Sequence, residues 1–453
     1  MAVTNPRDIY STLDLALRLG DLLLSSGGGA ADVEATMLAV TRACGLHGVS
    51  ADVTFTELSL QQQSSIEAPA SILVRRVQRR PADYDELIQA DRLVQELTEG
   101  TVTRDEARGR LMHIVSSKRR RPQWSVTLGW GAVGAALAVT LGGRAVVSGL
   151  AFLAACGIDL VRRGIRGRVP LFYQQAAGGF LATLVAVFAA VTELDVEPSL
   201  VVSAGIIILL SGIGLMGAMA DALTGYPLTA SARLLDAVLA TTGVIAGVAA
   251  GLTVADLMGA VLGEVEPGAT GLPQGSAMTV GAALAAAAFS FACNAPVRTA
   301  VAAGVVAAFG QAVFRAVEGR ALGETWAAAL AAVVIGVISH VIAGRLRAPP
   351  LVLIVPAVVP LLPGLAIYRG LALLAEGEDG VLQLASAGAT AIALAAGVVL
   401  GQYLAQPIRR EGQRMETRLS GPRLVGVLPG IRRQRKPTPR QVRPTGDEPT
   451  ERS

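Results

Sequence analysis

The stretch LVLIVPAVVPLLPGLAIYRGL, at residues 351–371, is apolar enough to lie in a membrane but carries three prolines and a glycine in its middle. A proline has no amide hydrogen and its ring displaces the carbonyl one turn earlier, so a helix with Pro356, Pro360 and Pro363 cannot stay regular. In hydrocarbon, a broken helix persists only where protein buries it or where it lines a watery cavity. The stretch therefore predicts a discontinuous membrane helix, with Gly364 just after its break.

A second, weaker interruption occurs in the preceding part of the chain. Residues 206–219 read IIILLSGIGLMGAM, and Ser211, Gly212 and Gly214 interrupt the apolar run. Interrupted helices at corresponding places of two halves are typical of secondary transporters, whose substrate site lies between them. The pair of interruptions indicates transport, because a helix that only anchors a protein needs no break.

Composition divides the 453 residues into a charged N-terminal part, an apolar centre and a charged tail. The chain is 52% hydrophobic and 16% charged, with a mean hydropathy of +0.52, which is more apolar than a soluble protein of this length. We expect a cytoplasmic α+β domain over 1–121, two transmembrane halves over 122–262 and 263–405, and a disordered tail over 406–453. No signal peptide is expected, since no basic segment precedes an apolar core at the start.

The N-terminal part shows helical periodicity, then alternation, and then two acidic helix starts. The predicted helices are 8–24, Ala31–Leu46 and those that open at Asp83–Glu86 and Thr103–Glu106, and the predicted strands are Ala51–Leu60 and Ser71–Val77. The Gly27–Gly29 run between the first two helices is interpreted as a helix junction, with an anion cradle as the less favoured alternative.

The apolar centre contains ten stretches near the length of about 20 residues that crosses about 30 Å of hydrocarbon. They are 124–141, 144–161, 170–191, 199–219, 232–253, 276–293, 296–314, 322–343, 350–374 and 381–405. If the first runs outward from the cytoplasm, inner loops hold most of the arginines and outer loops hold acidic runs at Glu193–Glu197, Glu264–Glu266 and Glu376–Asp379. This distribution obeys the positive-inside rule and predicts an inner-membrane, multi-pass protein with both termini in the cytoplasm.

The interrupted stretches are the fourth and the ninth of the ten, so each is the fourth of a group of five. Because five is odd, a duplicated five-helix unit must lie inverted in the bilayer. The expected fold class is a membrane all-α protein of about ten transmembrane helices, in two inverted five-helix halves, with an N-terminal soluble α+β domain.

The tail from Gln406 onward carries twelve arginines and lysines against five acidic residues. We expect it to enforce topology and to contact anionic lipid. Nucleic-acid binding is disfavoured, because no aromatic residues are interleaved with the basic ones. Cys44, Cys156 and Cys293 are scattered without a Cys-x-x-Cys pair, so no disulfide, metal or cofactor is expected.

Five segments resemble the threonine/serine exporter family, over most of the chain from Leu13 to Leu404. They are SGGGAADVEATM at Ser26–Met37, DVTFTELSL at Asp52–Leu60, DALTGYPLTASARLLDA at Asp221–Ala237, FSFACNAPVR at Phe289–Arg298 and PAVVPLLPGLAIYRGL at Pro356–Leu371. The last is the most specific, since it is long and rich in proline at an unusual place. The chain departs from the family pattern at Gly29, Asp32 and Ser211, where Glu, Arg and Pro are common.

The resemblance implies an exporter of L-threonine and L-serine, driven by the proton gradient, and not an enzyme. Two other classes remain open. One is a membrane-anchored hydrolase, which a carboxylate-lined cleft near Asp32 and Glu34 would favour. The other is a structural or sensory membrane protein. The sequence leaves the oligomeric state open.

A zwitterionic amino acid needs partners for its carboxylate, ammonium and hydroxyl, and broken helices supply them through free N–H groups and carbonyls. The candidate substrate-binding residues are Ser211, Gly212, Gly214, Asn294, Pro356, Pro360, Pro363, Gly364, Tyr368 and Arg369. Alternatives remain for them. In these alternatives, the prolines would only kink a packing helix, Asn294 would cap the next helix, and Tyr368 with Arg369 would form an interfacial anchor.

Proton coupling requires an ionisable group at membrane depth. The candidates are Asp221, Asp256, Asp236 and Arg233, with Asp221 and Asp256 as first choices, and Asp159 and His340 as further groups in the spans. For each carboxylate, the alternative is a helix-end charge in contact with water or arginine.

Overall fold

The computed structural model describes residues 5–63, 69–77, 82–116, 121–192, 197–209, 212–259, 272–318, 323–375 and 377–410. Several sequence predictions lie outside these residues: the basic tail beyond residue 410, Ser211, the acidic run at Glu264–Glu266 and positions 193–196 of the acidic run at Glu193–Glu197. Residues 406–410, the start of the predicted tail, are helical.

The N-terminal region, residues 5–116, combines helices with an antiparallel sheet. Its elements are α1 (Pro6–Ser25), α2 (Ala30–Ala43), β1 (Val49–Val53), β2 (Glu57–Gln62), β3 (Ser71–Arg76), α3 (Tyr84–Glu99) and α4 (Arg104–Ser116). The strands pair in the order β1-β2-β3, with Leu60 opposite both Ala51 and Leu73. Leu58 and Leu60 are fully buried, so β2 turns this face towards the helices.

Local sequence signals explain where these helices begin and end. The side chain of Asn5 accepts a hydrogen bond from the backbone of Arg7 at the start of α1. Asp83 accepts from the backbone of Asp85 and Glu86 and thereby caps α3, as the acidic first turn predicts. Gly100 ends α3 with a φ of 75°, which glycine adopts without steric cost.

The prediction of one strand over Ala51–Leu60 is wrong, because a tight turn divides it into β1 and β2. The backbone N–H and the hydroxyl of Thr54 both donate to the carbonyl of Glu57, at 2.9 and 3.0 Å. The apolar–polar alternation shifts by one residue at this turn, where Thr56 and Glu57 are both polar, and this shift is the only local sign of the hairpin.

Twelve helices follow in the rest of the described chain. They are α5 (Gln123–Thr140), α6 (Ala145–Ile165), α7 (Leu171–Val191), α8 (Pro198–Leu209), α9 (Gly212–Leu223), α10 (Pro227–Leu257), α11 (Leu272–Ala292), α12 (Val297–Glu318), α13 (Glu324–Leu346), α14 (Leu351–Val358), α15 (Gly364–Ala375) and α16 (Val381–Arg410).

Seven of these helices are individually long and apolar enough to cross a membrane, and nine crossings result if α8/α9 and α14/α15 each count as one. The helix predicted as the first of ten spans, α5, is not among them. It has only 18 residues, begins with the polar Gln123 and contains three glycines and two tryptophans, which lower its mean hydropathy.

Both predicted helix breaks are confirmed. The axes of α8 and α9 meet at 45°, and those on either side of the second break meet at 40°. Pro356 lies inside α14, and Pro360 lies in a 3-10 turn over Val359–Leu361. Leu362 is extended, with φ −66° and ψ 139°, as expected for a residue that precedes a proline. Pro363 therefore explains where the helix stops.

Helices α5–α10, the first helical group, and α11–α16, the second helical group, pack in the same internal order. In the first, α5 contacts α6 and α7 contacts α10; in the second, α11 contacts α12 and α13 contacts α16.

The α7–α10 and α13–α16 contacts share a further feature, which is a pair of glycines four residues apart on the later helix. A Cβ added at any of the four would lie within 2.4 Å of a carbonyl oxygen of the partner helix: Gly243 near Phe172, Gly247 near Ala176, Gly397 near Ala329 and Gly401 near Val333. Such small residues allow membrane helices to approach closely.

Candidate substrate cavity

A cavity of about 550 Å³ lies where the two helical groups meet the N-terminal region. Both broken helices line it, through Leu209 and Met216 on one side and through Val355 and Leu362 on the other. The N-terminal region contributes Asp83 and its neighbours. A cavity of this volume is typical of a small-molecule site.

Polar and apolar groups contribute about equally to the walls, and nine of the lining residues have charged or amide side chains. These are Asp83, Glu86, Gln123, Asp159, Arg162, Arg163, Arg166, Gln175 and Asn294. Convergent polar groups are what fixes the orientation of a bound ligand.

Asp159 and Arg163, one turn apart on α6, form an ion pair at the cavity. Thr127 of α5 joins it, since its hydroxyl donates to Asp159 at 2.7 Å and accepts from Nη2 of Arg163 at 3.0 Å. Asp159, considered from the sequence as a charge at the end of a span, is therefore already paired with a cation.

Three other polar side chains at the cavity each have a buried atom without a hydrogen-bond partner among the described residues. These atoms are Nε of Arg162, Oε1 of Gln175 and Oδ1 of Asn294. The amide of Gln175 donates to the carbonyl of Leu209 at 2.9 Å, and so satisfies a carbonyl that the break after α8 leaves free. The amide of Asn294 donates to Oδ2 of Asp83 at 2.7 Å.

Sequence reasoning identified only Asn294 of these three. It assigned Arg162 to the positive inner loop, where it is one of several arginines. Gln175 stands in an apolar span without a motif around it. A glutamine within an apolar run is the one signal that would have pointed to it, because a buried amide at membrane depth is costly.

The glycines and prolines of the second break shape the site without lining it. Pro356, Pro360 and Pro363 are buried, and their neighbours form the cavity wall. Gly364 is a point of contact between the two broken helices, because an added Cβ would lie 2.3 Å from Cγ1 of Ile207 and 2.9 Å from the carbonyl oxygen of Ser203 on α8.

The other candidates from the sequence lie elsewhere. Gly212 begins α9, and Gly214 is half-buried in its first turn. Tyr368 is buried and Arg369 is half-buried on α15; neither lines the cavity, and the charge of Arg369 acts on Glu324 at the start of α13.

Asp221 and Arg233 form a buried ion pair between α9 and α10 that holds the N-terminal region. The carboxylate of Asp221 accepts from the backbone N–H of Ala30 at 2.7 Å, and Arg233 donates to the carbonyl of Gly28 at 2.6 Å. Gly217 makes room for the guanidinium, since an added Cβ would lie 2.3 Å from Nη1 of Arg233.

The other ionisable candidates differ in exposure. Asp256 is exposed at the penultimate position of α10, and Asp236 is half-buried on the same helix. His340 is buried on α13. Of the four proton-coupling candidates, only Asp221 and Arg233 are therefore closed to solvent.

The loop between α9 and α10 and the first turn of α10 bind the N-terminal region through two further contacts. The hydroxyl of Tyr226 donates to the carboxylate of Glu34, and the hydroxyl of Thr229 donates to the carbonyl of Val53 at 3.1 Å. Burial, and then the hydrogen bond to Glu34, raises the pKa of Tyr226, so the phenol stays protonated as a donor. Glu34, which was a candidate for a hydrolase cleft together with the buried Asp32, is thus engaged in this contact.

The N-terminal region and the segment after it bind the turn between α11 and α12 as well. The backbone N–H of Tyr84 donates to the carbonyl of Cys293 at 2.8 Å. Arg121 donates to the carbonyls of Phe291 and Ala295 at 2.7 and 2.9 Å, and its guanidinium lies 3.9 Å from the centre of the Phe291 ring. The N-terminal region therefore contacts both helical groups on the same face.

Two family models match the chain in succession. One, described as "Putative threonine/serine exporter", matches residues 14–255, and the other, described as "Threonine/Serine exporter, ThrE", matches residues 278–406. The gap between them falls between the first and second helical groups.

Two curated proteins are similar over most of their length. A "Probable threonine/serine exporter" of Mycobacterium tuberculosis is 36% identical over 434 residues, which cover 93% of this chain and 80% of that protein. A "Threonine/serine exporter" of Corynebacterium glutamicum is 34% identical over 420 residues, which cover 90% of this chain and 85% of that protein. No solved structure matches. On this evidence the chain, a multi-pass membrane protein, belongs to the threonine/serine exporter family.

Proposed function

We propose that this protein is a secondary transporter that exports small hydroxy amino acids, L-threonine and L-serine, across the inner membrane, driven by the proton gradient. The observation that carries the proposal is the cavity of about 550 Å³, whose walls include both broken helices. Discontinuous helices that meet at a central site are the architecture of many secondary transporters. The names of the two relatives supply the substrate class.

Ten crossings in two inverted halves are part of the proposal. The tenth is α5, which contacts α11 as the corresponding first helix of the other group. The paired glycines of α10 and α16 support a duplicated unit, because they occur at equivalent helix contacts. A unit of five crossings that is repeated must reverse its direction in the bilayer.

We place the N-terminal region, as a soluble α+β domain, and both termini in the cytoplasm. It contacts the α9–α10 loop, the α11–α12 turn and the carbonyl of Arg347 after α13, the last through Arg92 at 3.4 Å. Arginines cluster beside this last contact, at Arg345 with Arg347, and from the last turn of α6 towards α7, at Arg162–Arg168, whose first residues share the cavity wall with Asp83. The positive-inside rule assigns that face to the cytoplasm, and the basic tail would then meet anionic lipid there.

Among the proton-coupling candidates, the buried pair of Asp221 and Arg233 fits best. It lies between the second segment of a broken helix and the next helix, and it also bonds the N-terminal region. A change in its protonation would alter both contacts at once. Asp236 is half-buried and Asp256 is exposed on α10.

The test is efflux of labelled L-threonine from cells loaded with a threonine dipeptide, with and without this protein. Faster efflux in its presence, abolished when the proton gradient is collapsed, supports the proposal. An efflux rate that is the same with and without the protein would contradict the proposal. Protein-dependent efflux that persists without the proton gradient would contradict only the coupling to protons.

A further inference from the structure

We propose that Arg162 binds the carboxylate of the transported amino acid, while the side-chain oxygens of Gln175 and Asn294 accept hydrogen bonds from its ammonium or hydroxyl group. This inference rests on the proposed transport of amino acids and assigns the side chains that hold the substrate. Of these three side chains the sequence pointed only to Asn294, and it otherwise favoured groups at the helix breaks.

Arg162 is the cavity arginine whose Nε is buried without a hydrogen-bond partner among the described residues, while the residue as a whole is half-buried. Its neighbour Arg163 is occupied by Asp159 and Thr127. Arg166 is exposed and can be satisfied by water. The Nε of Arg162 is buried and donates no hydrogen bond to a described residue. A buried N–H without an acceptor is costly, and a planar carboxylate is the ligand that matches the fork of guanidinium donors.

The two amides are oriented by partners that can only accept. The carbonyl of Leu209 takes the N–H of Gln175, and the carboxylate of Asp83 takes the N–H of Asn294. In each case the amide nitrogen must face that partner, which leaves the oxygen free as an acceptor. Both oxygens are buried without a donor from the described residues.

The set of free groups is complementary to an α-amino acid. One cationic fork and two neutral acceptors match a carboxylate, an ammonium and a hydroxyl, which are the groups that a threonine or serine presents. Val355, Val358, Val359 and Leu362 supply apolar wall against which the rest of the ligand can pack. Three of the buried side-chain atoms that lack a hydrogen-bond partner among the described residues belong to residues of this one cavity, and a single ligand that supplies three partners would satisfy them together.

The experiment is equilibrium binding of labelled L-threonine to the full chain in lipid nanodiscs, with L-threonine and L-threoninamide as competitors. Threoninamide keeps the ammonium and hydroxyl but replaces the carboxylate with a neutral amide. The wild-type protein should prefer threonine by about tenfold to a hundredfold, as expected for loss of a charge-assisted hydrogen bond. Arg162→Gln should lower the affinity for threonine by a similar factor and leave that for threoninamide nearly unchanged.

Arg168→Gln is the matched control, because Arg168 is exposed on the following loop and does not line the cavity. It should leave both affinities unchanged. Arg162→Lys, which keeps the charge but loses the fork, should retain part of the preference for threonine and serves if Arg162→Gln fails to accumulate. An equal loss of affinity for both ligands in the Arg162 variants, or no loss, would overturn the assignment.

A second arm tests the acceptors with N-acetyl-L-threonine, whose ammonium is replaced by an amide. Gln175→Leu should weaken binding of threonine more than binding of the acetylated ligand. If the wild-type protein binds and exports threonine, but neither the Arg162 variants nor Gln175→Leu change the preference between the ligands, only this site is refuted. A wild-type protein that binds neither threonine nor serine would overturn both this site and the proposed function.

Discussion

The carboxylate of Asp221 lies 2.9 Å from Nε of Arg233, in an ion pair whose side chains are 0% and 4% exposed. The pair is close in distance, but the Nε–H does not point along the contact, so it acts as a charge pair rather than as a hydrogen bond. The aligned hydrogen bonds of both side chains go instead to Ala30 and Gly28 of the N-terminal region. The pair therefore joins α9, α10 and the N-terminal region at one point.

Asp221→Asn should destabilise the protein strongly, because it leaves the buried guanidinium of Arg233 without a counter-charge. Removing one partner of a buried pair typically costs about 3–5 kcal/mol. The expected result is a lower unfolding temperature in detergent and faster proteolysis of the N-terminal region. The double variant Asp221→Asn/Arg233→Gln should recover part of the loss, since it removes the unpaired charge.

Asp256→Asn is the control for this prediction, because Asp256 is an exposed aspartate on the same helix as Arg233. It should shift the unfolding temperature little. Equal effects of Asp221→Asn and Asp256→Asn, or additive losses in the double variant, would show that the two buried charges do not interact in the way the structure indicates.

Gly364→Leu should abolish transport by separating the two broken helices. The new side chain would overlap Ile207, whose Cγ1 lies 2.3 Å from the Cβ position, and inserting atoms into a packed contact costs about 1–3 kcal/mol. The measurement is threonine efflux at matched membrane abundance. Gly388→Leu on α16 is the control, because nothing lies within 4 Å of its Cβ position.

A smaller substitution with a compensating change refines the same test. Gly364→Ala should reduce efflux, and Ile207→Ala should restore part of it by removing the clashing atom. Recovery should be incomplete, since the carbonyl oxygen of Ser203 remains 2.9 Å from the Cβ position. If Ile207→Ala worsened the defect of Gly364→Ala, contact between α8 and α15 would not be what Gly364 serves.

Much of the fold was predictable because the sequence signals of membrane helices lie within the helices themselves. Length and hydropathy mark the spans, and Pro363 marks a break through the geometry of a single ring. The hairpin between β1 and β2 was missed because the only local sign of it is a one-residue shift in the alternation at Thr56 and Glu57. The first span was counted by apolar length alone, whereas the glycines and the polar start of α5 give it a lower mean hydropathy than the seven helices that can each cross a membrane.

The site was less predictable, because its residues come together only in three dimensions. Asp221 and Arg233 were both named as proton-coupling candidates, because they lie near one loop, but their pairing was not predicted. That Gly28 and Ala30 complete this pair depends on contacts across about two hundred residues, which no local pattern encodes. Arg162 carried the same signal as its neighbours Arg163 and Arg166, and only the partners of each distinguish them.

Gly401→Ala should destabilise the packing of α16 on α13, while Gly388→Ala on the same helix should not. A Cβ at Gly401 would lie 2.2 Å from the carbonyl oxygen of Val333, and backbone cannot move aside as a flexible side chain can. Gly388→Ala meets no atom within 4 Å and should be neutral or slightly stabilising, because alanine favours helix. Thermal unfolding in detergent measures both, and equal stability of the two variants would contradict the close approach.

Breaking the hydrogen bond between Asp83 and Asn294 should loosen the N-terminal region from the α11–α12 turn. Asp83→Asn is the informative change, because asparagine still caps α3 but then faces the amide of Asn294 with one acceptor fewer. The exchange Asp83→Asn/Asn294→Asp should restore the bond with its donor and acceptor reversed. Position 294 has a φ of 63°, which both asparagine and aspartate tolerate, so the exchange adds little strain.

Labelling of Cys293 by a maleimide measures this contact, since the thiol is buried beside Tyr84. In a Cys156→Ala background, Cys293 should react slowly in the wild type, faster in Asp83→Asn, and slowly again in the exchange. Cys44 is an internal reference, because burial raises the pKa of its thiol to about 11, an effect that Arg104 partly offsets. The thiolate fraction of Cys44, and hence its labelling rate, should rise about tenfold per pH unit up to that pKa in every variant. Faster labelling of Cys44 together with Cys293 in Asp83→Asn would indicate unfolding of the whole N-terminal region instead of release of a single contact.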